Sequence, residues 1–169
     1  MIVILMGVTG SGKTTIGELL ASRTGAIFAD ADDYHPEANK QKMAAGHPLN
    51  DDDRQPWLET LNKLMQGWCK EGKSGVLACS ALKQKYRDTL VADIPPGTVH
   101  FVWLDAPKEV LAERLAARHH EFMNPNLLQS QFDTLEPPAD ALRIVNDRAP
   151  KQVVESILEK IPAAQKTSK

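Results

Sequence analysis

Short apolar runs alternate along this chain with stretches of helical spacing. The runs Ile2–Met6, Ala26–Ala29, Gly75–Cys79, Val99–Leu104 and Arg143–Val145 have the length and continuity of strands buried on both faces. Between them, helical patterns are predicted at Thr14–Arg23, Trp57–Lys70, Lys83–Val91, Lys108–Arg118 and Lys151–Ile161. In the last of these, Val153, Val154, Ile157, Leu158 and Ile161 share one face, as in an amphipathic helix packed on a sheet. Strict alternation of the two patterns predicts an α/β fold with a parallel sheet covered by helices on both sides.

Two polar segments interrupt the rhythm. Tyr34 to Arg54 carries Pro36, Gly46 and Pro48, and Arg118 to Pro138 is rich in His, Asn and Gln. Both read as insertions at the edge of the sheet where α/β folds handle substrates. With no repeat, charge block or linker to divide it, the chain reads as one domain over residues 1–169, with a substrate-binding insertion at about 34–58 and a lid at about 118–138.

Composition narrows the function without naming it. The 169 residues carry 20 basic and 22 acidic side chains, a net charge of −2, which gives no global attraction to nucleic acid or an anionic membrane. An anionic ligand must therefore be held by local cations. The run Ile2–Met6 is too short for a signal peptide or a membrane span, and Cys69 and Cys79 make neither a disulfide framework nor a metal motif. A cytoplasmic location is the expectation.

The first strand leads into Gly7-Val8-Thr9-Gly10-Ser11-Gly12-Lys13-Thr14, a full match to G-x-x-x-x-G-K-[ST]. Glycines let successive amides point at phosphate oxygens, and the following helix presents its positive end. This predicts ATP bound by residues 7–14 and the adjacent Thr15, with Lys13 on the β- and γ-phosphates and the Thr14 hydroxyl on Mg²⁺. The second strand runs into Asp30-Ala31-Asp32-Asp33. On an extended chain Asp30 and Asp32 would point the same way, one organising the metal shell and the other orienting an acceptor hydroxyl. A solvated turn or helix cap is the competing reading, and it suits Asp33 best. Strand three ends Leu77-Ala78-Cys79-Ser80, without the closing Asp of the kind a motor ATPase would require.

The acidic pair resembles the D-x-D of shikimate kinase and related small-molecule kinases. From Asp32 onward the resemblance becomes specific. His35-Pro36-x-x-Asn39-x-x-Lys42-Met43-x-x-Gly46-x-Pro48-Leu49-x-Asp51-x-Asp53-Arg54-x-Pro56-Trp57-Leu58 is similar to the motif of the gluconokinase family. Ala78-Cys79-Ser80-Ala81-Leu82-Lys83 through Tyr86-Arg87-Asp88, and Leu128 through Gln131-Phe132 to Glu136-Pro137, continue the likeness over nearly the whole chain. The resemblance implies an adenylate-kinase-like P-loop fold with a five-stranded parallel sheet. It implies transfer of phosphate from ATP to gluconate, catalysis by Lys13, Asp32 and Arg118, and a homodimer.

A polyhydroxylated carboxylate needs cations and short polar groups. Arg54, Lys83 and Arg87 are the candidate cations, and Asp32, His35 and Ser80 the candidate hydroxyl partners. Two other readings stand beside these: Arg54 paired with the Asp51–Asp53 run, and Lys83 and Arg87 four apart on one helical face with one of them solvated. Trp57 and Met43 read as core or wall, His47 and His100 as structural. Arg114 and Arg118 have the R-x-x-x-R spacing that opens the lid of adenylate-kinase-like folds, one arginine against adenine and the next near the phosphates; a basic last helical turn is the alternative. The sequence departs from the family at Glu121, where a His is expected.

Overall fold

The computed structural model describes residues 1–118 and 125–161, with the side chains of 115–118 and 125–128 outside the description. The elements in chain order are β1 (Ile2–Met6), α1 (Lys13–Thr24), β2 (Ile27–Asp30), a 3-10 turn (Ala31–Tyr34), α2 (Glu37–Ala44), α3 (Asp51–Lys70), β3 (Gly75–Ala78), α4 (Gln84–Val91), β4 (Val99–Asp105), α5 (Lys108–Arg118), α6 (Pro125–Thr134), β5 (Leu142–Val145) and α7 (Pro150–Lys160). The strands pair in parallel in the order β2-β3-β1-β4-β5.

β1 lies at the centre, so all five of its residues are buried, and the two-residue period of a strand divides them between two cores. Ile2, Ile4 and Met6 face Trp57, Leu61 and Met65 of α3. Val3 and Leu5 join Ile16 and Leu20 of α1 and Val153 and Ile157 of α7 on the other side. Parallel pairing sends every strand's carboxyl end to one edge, so the chain leaves β1, β2 and β3 there at Gly7, Ala31 and Cys79, and β5 at Asn146. Because β3 lies between β1 and β2, the sequence doubles back across this edge and opens a crevice.

The expected elements are present, with three differences. α3 begins six residues before the expected Trp57, because Asn50 Oδ1 accepts from the Asp53 amide at 2.8 Å while Asp53 Oδ2 accepts from the Asn50 amide at 2.9 Å. This capping box, with three aspartates at the positive helix end, starts the helix upstream of Pro56, which sits inside it. The two polar insertions also contain helices of their own, α2 and α6. Among the described residues no helix is long and apolar enough to cross a membrane.

Candidate active site

The loop after β1 has the backbone that its glycines permit. Gly7, Gly10 and Gly12 have φ of 147°, 84° and 96°. A Cβ on Gly7 would lie 2.6 Å from the Leu104 carbonyl oxygen, and one on Gly12 would lie 2.4 Å from Asn146 Nδ2. Val8 and Ser11 are buried, Thr9 and Gly10 half-buried, and Thr14 and Thr15 open the exposed face of α1. Lys13 folds over the loop and donates to the Gly7 and Val8 carbonyls at 2.9 and 3.0 Å. Burial lowers its pKa, while the nearby Asp32 and Asp30 charges pull the other way.

Three side chains from distant elements grip this loop. Asn146, just beyond β5, donates to the Ser11 carbonyl at 2.6 Å. Arg114 on α5 donates to the Gly10 carbonyl at 3.2 Å and the Asn146 carbonyl at 2.9 Å. Gln131 on α6 accepts from the Thr9 amide at 2.6 Å and donates to the Thr9 hydroxyl at 2.9 Å. Asn146 and Gln131 were not among the expected site residues. A polar residue directly beyond a buried strand was the available signal for the first, and the Leu128–Pro137 block, which contains Gln131, for the second. Arg118 ends α5, but its side chain, like Glu121 and the stretch 119–124, lies outside the described residues.

Beside the loop, Thr14 Oγ1 donates to Asp30 Oδ2 at 2.8 Å, so the two expected metal-side oxygens are brought together. The chain is not extended past Asp30. Asp30 Oδ1 accepts the Asp32 amide at 2.9 Å and caps the 3-10 turn, so Asp32 reaches the crevice from a turn and the expectation of two side chains aligned on a strand is corrected. Surrounding protein, then Asp30, pushes the Asp32 carboxyl above its ordinary range against the pull of Lys13. Its side chain is 87% exposed, so water blunts the first cause and the Asp30 repulsion is the part that persists.

The turn is held by Trp57, whose Nε1 donates to the Ala31 carbonyl at 2.7 Å. His35 stacks on the same indole, with ring centroids 4.1 Å apart, and its Nε2 lies 4.0 Å from Asp32 Oδ1. Burial, followed by the Arg54 and Lys40 charges, lowers the His35 pKa to about 4, so this approach is not an ion pair at neutral pH.

The cations form a wall across α3 and α4. Arg54 Nη1 donates to the Tyr86 hydroxyl at 2.8 Å, and Arg54 and Lys83 both lie over the Tyr86 ring. Asp51 accepts from Lys83 at 3.1 Å and also from Lys85 and the Tyr86 hydroxyl; these hydrogen bonds hold its carboxyl well below the usual range. Asp53 pairs with Lys42 at 2.6 Å, not with Arg54.

Arg87 does not join the wall. Lys83 has extended backbone and caps α4, so it and Arg87 do not share a helical face as their spacing suggested. Arg87 is 3% exposed and donates to the carbonyls of Ala81, Leu82 and Glu136 at 2.7, 3.3 and 2.9 Å. It braces a loop in which Ala81 has a φ of 47° and which presents half-buried Ser80 and Lys83. Ser80 itself accepts the Gly7 amide through its carbonyl at 3.2 Å, joining this loop to the phosphate loop.

A glycine loop, a hydroxyl–carboxylate pair beside its lysine, and a cluster of cations at the same sheet edge are the features of a P-loop kinase of small molecules. Comparison with known proteins is consistent at every level. Residues 9–162 match the family model described as shikimate kinase. A probable gluconokinase of Dictyostelium discoideum is 48% identical over 145 residues, covering 83% of this chain and 72% of the relative. Among solved structures, a gluconokinase from Sinorhizobium meliloti superposes with a TM-score of 0.85 at 37% identity, covering 97% of this chain and 93% of that one. An unliganded sugar kinase from Janibacter superposes with a TM-score of 0.88 at 42% identity, covering 99% and 98%. The chain belongs to the gluconokinase family of P-loop kinases, related to shikimate kinase.

Proposed function

We propose that this chain transfers the γ-phosphate of ATP to the primary hydroxyl of D-gluconate, giving 6-phosphogluconate and ADP. The observation that carries this is a line of side chains at one sheet edge: Lys13 in the field of Asp32, Asp32 4.0 Å from His35, His35 in the field of Arg54, and Arg54 and Lys83 on the Tyr86 ring. It leads from the phosphate loop past a carboxylate–imidazole pair to a wall of positive charge. A gluconate molecule spans such a line with its hydroxyl at Asp32 and its carboxylate toward Arg54 and Lys83.

Thr14 and Asp30 supply two adjacent oxygens, the sparse hard-donor set that suits Mg²⁺ shared with nucleotide phosphates. Bound there, the ion neutralises charge on the phosphates. Lys13 exchanges its two loop carbonyls for phosphate oxygens. Asp32 orients the acceptor hydroxyl and takes its proton, and in a loose phosphoryl transition state this positioning outweighs base strength. Arg118 is assigned to the transferring phosphoryl group, and the segment 118–138 to a lid over it. Arg114 is assigned to the nucleotide through the loop it grips. Residues 1–169 act as one kinase domain, as a homodimer in the cytoplasm.

The family-model match favours one competing acceptor, shikimate. A coupled ADP assay with MgATP decides among them. Gluconate is expected to turn over at least about a hundredfold better than glucose, which brings no carboxylate to the cations, and better than shikimate. Equal turnover of glucose would remove the carboxylate site, and ADP release independent of any acceptor would point to a nucleotide-dependent regulator.

A further inference from the structure

We propose that Asn39 is a positioning residue that fixes the tautomer of His35, so that His35 presents an Nε2–H donor to the hydroxyl held beside Asp32. Asn39 lies on α2 and is 4% exposed. Its Nδ2 donates to the Asp53 carbonyl at 2.8 Å. A backbone carbonyl only accepts, so this contact fixes which end of the amide is the NH₂ group. The same nitrogen lies 3.2 Å from His35 Nδ1, within hydrogen-bond distance, and an NH₂ group can only donate in that contact. His35 Nδ1 must then be an acceptor. A neutral imidazole carries one N–H, which is therefore on Nε2, the atom 4.0 Å from Asp32 Oδ1. The groups facing the ring are the Trp57 indole, the Arg54 and Lys40 charges and Asp32; burial and the two cations keep it neutral.

The 4.0 Å gap is too long for a direct hydrogen bond and fits one oxygen atom. A hydroxyl making two hydrogen bonds of about 2.8 Å spans it with an angle of about 90° at its oxygen. With the donor on His35, the hydroxyl oxygen accepts from Nε2–H and its own proton has one destination, the Asp32 carboxylate. With the opposite tautomer, the Nε2 lone pair would compete with Asp32 for that proton, and the acceptor would sit in two orientations. Asn39 thus acts on the reaction through His35, and the Asp53 carbonyl on α3 holds Asn39. The inference rests on the reading of this crevice as the site of a hydroxyl acceptor.

The test is long-range proton–nitrogen correlation NMR of the ¹⁵N-labelled protein without ligand, with the His35 signals assigned by their loss in His35→Gln. Near neutral pH the expected pattern is a protonated Nε2 and an unprotonated Nδ1. An Nδ1–H pattern, or signals averaged between tautomers, in the wild-type protein overturns the proposal whatever the substrate proves to be. Asn39→Asp, which can only accept, is expected to move the proton to Nδ1, and Asn39→Ala to give averaging. Both are expected to lower kcat with gluconate about tenfold while the KM for ATP is unchanged, since nucleotide contacts are untouched. His35→Gln, which retains an amide donor, is expected to keep more activity than His35→Leu. A wild-type kcat in Asn39→Ala overturns the positioning role. A chain that does not phosphorylate gluconate refutes the functional reading and leaves the spectrum to judge the tautomer.

Discussion

The phosphate loop and the cation wall lie at one edge of the sheet and are built in opposite ways. The loop is a backbone object: its glycines set the conformation, and Lys13, Arg114 and Asn146 all bond to its carbonyls. The wall is a side-chain object, in which Lys83, Lys85 and Tyr86 converge on Asp51 from 32 to 35 residues away. Backbone donors suit a group common to every nucleotide. Side-chain pairs can be exchanged one at a time and suit the partner that differs between kinases. The loop should therefore govern turnover and the wall should govern acceptor affinity.

The sharpest way to break that division is at its junction. Lys13→Ala is expected to lower kcat by about three orders of magnitude with the KM for gluconate little changed, because its charge acts on the phosphates. Asp32→Asn keeps the shape and loses the proton acceptor; kcat should fall by about two orders of magnitude while ATP affinity stays near wild type. Steady-state kinetics in both substrates checks the pair. A Lys13 variant that lost gluconate affinity as steeply as turnover would mean that the two regions act as one.

A second measurement sharpens the comparison through stability. Burial and nearby cations depress the His35 pKa from 6.5 to about 4, so between these values the unfolded chain takes up a proton that the folded chain refuses. Stability from this group is therefore complete above about pH 6.5 and is lost as pH falls toward 4, on the order of 3 kcal/mol in all. His35→Gln removes the titration. Denaturant melts of the two proteins should converge as pH falls through that window. Curves that stay parallel would show a solvated His35 and an acceptor pocket open to water.

The contrast also explains what the sequence could tell. The strands of the sheet and the phosphate loop are local: a continuous apolar run and a glycine pattern dictate them over a few neighbouring residues. The start of α3 was equally local, but Pro56 masked the Asn50–Asp53 box that outranks it. The wall had no local signature. Its residues were legible through family resemblance, and even then the helical spacing of Lys83 and Arg87 misled, because Lys83 caps α4 from outside the helix. Asp32 was found by a geometry the chain does not adopt, since a 3-10 turn, not an extended strand, delivers it. Asn146 and Gln131 grip the loop from more than a hundred residues away, a separation that no periodicity reports.

Lys83 and Arg87 offer the finest test, because one expectation placed both in the acceptor site and the structure separates them. Lys83 is half-buried, faces Asp51 and the Tyr86 ring, and can exchange that partner for a substrate carboxylate. Lys83→Ala is expected to raise the KM for gluconate about tenfold, the loss of one charge-assisted contact, with kcat and thermal stability near wild type. Arg87 has its guanidinium spread over three carbonyls inside the protein, so Arg87→Ala strands those acceptors and should lower Tm by several degrees. Its kinetic effect should follow from the loop that it braces: a moderate fall in kcat/KM for gluconate, recovered in part by Arg87→Lys, which restores a cation with three N–H donors in place of five. Thermal melts beside gluconate titrations separate the two outcomes. A Lys83 variant that melted early with normal gluconate affinity, or an Arg87 variant that kept its Tm and lost the acceptor, would exchange their roles and move the carboxylate site to the other side of the β3–α4 loop.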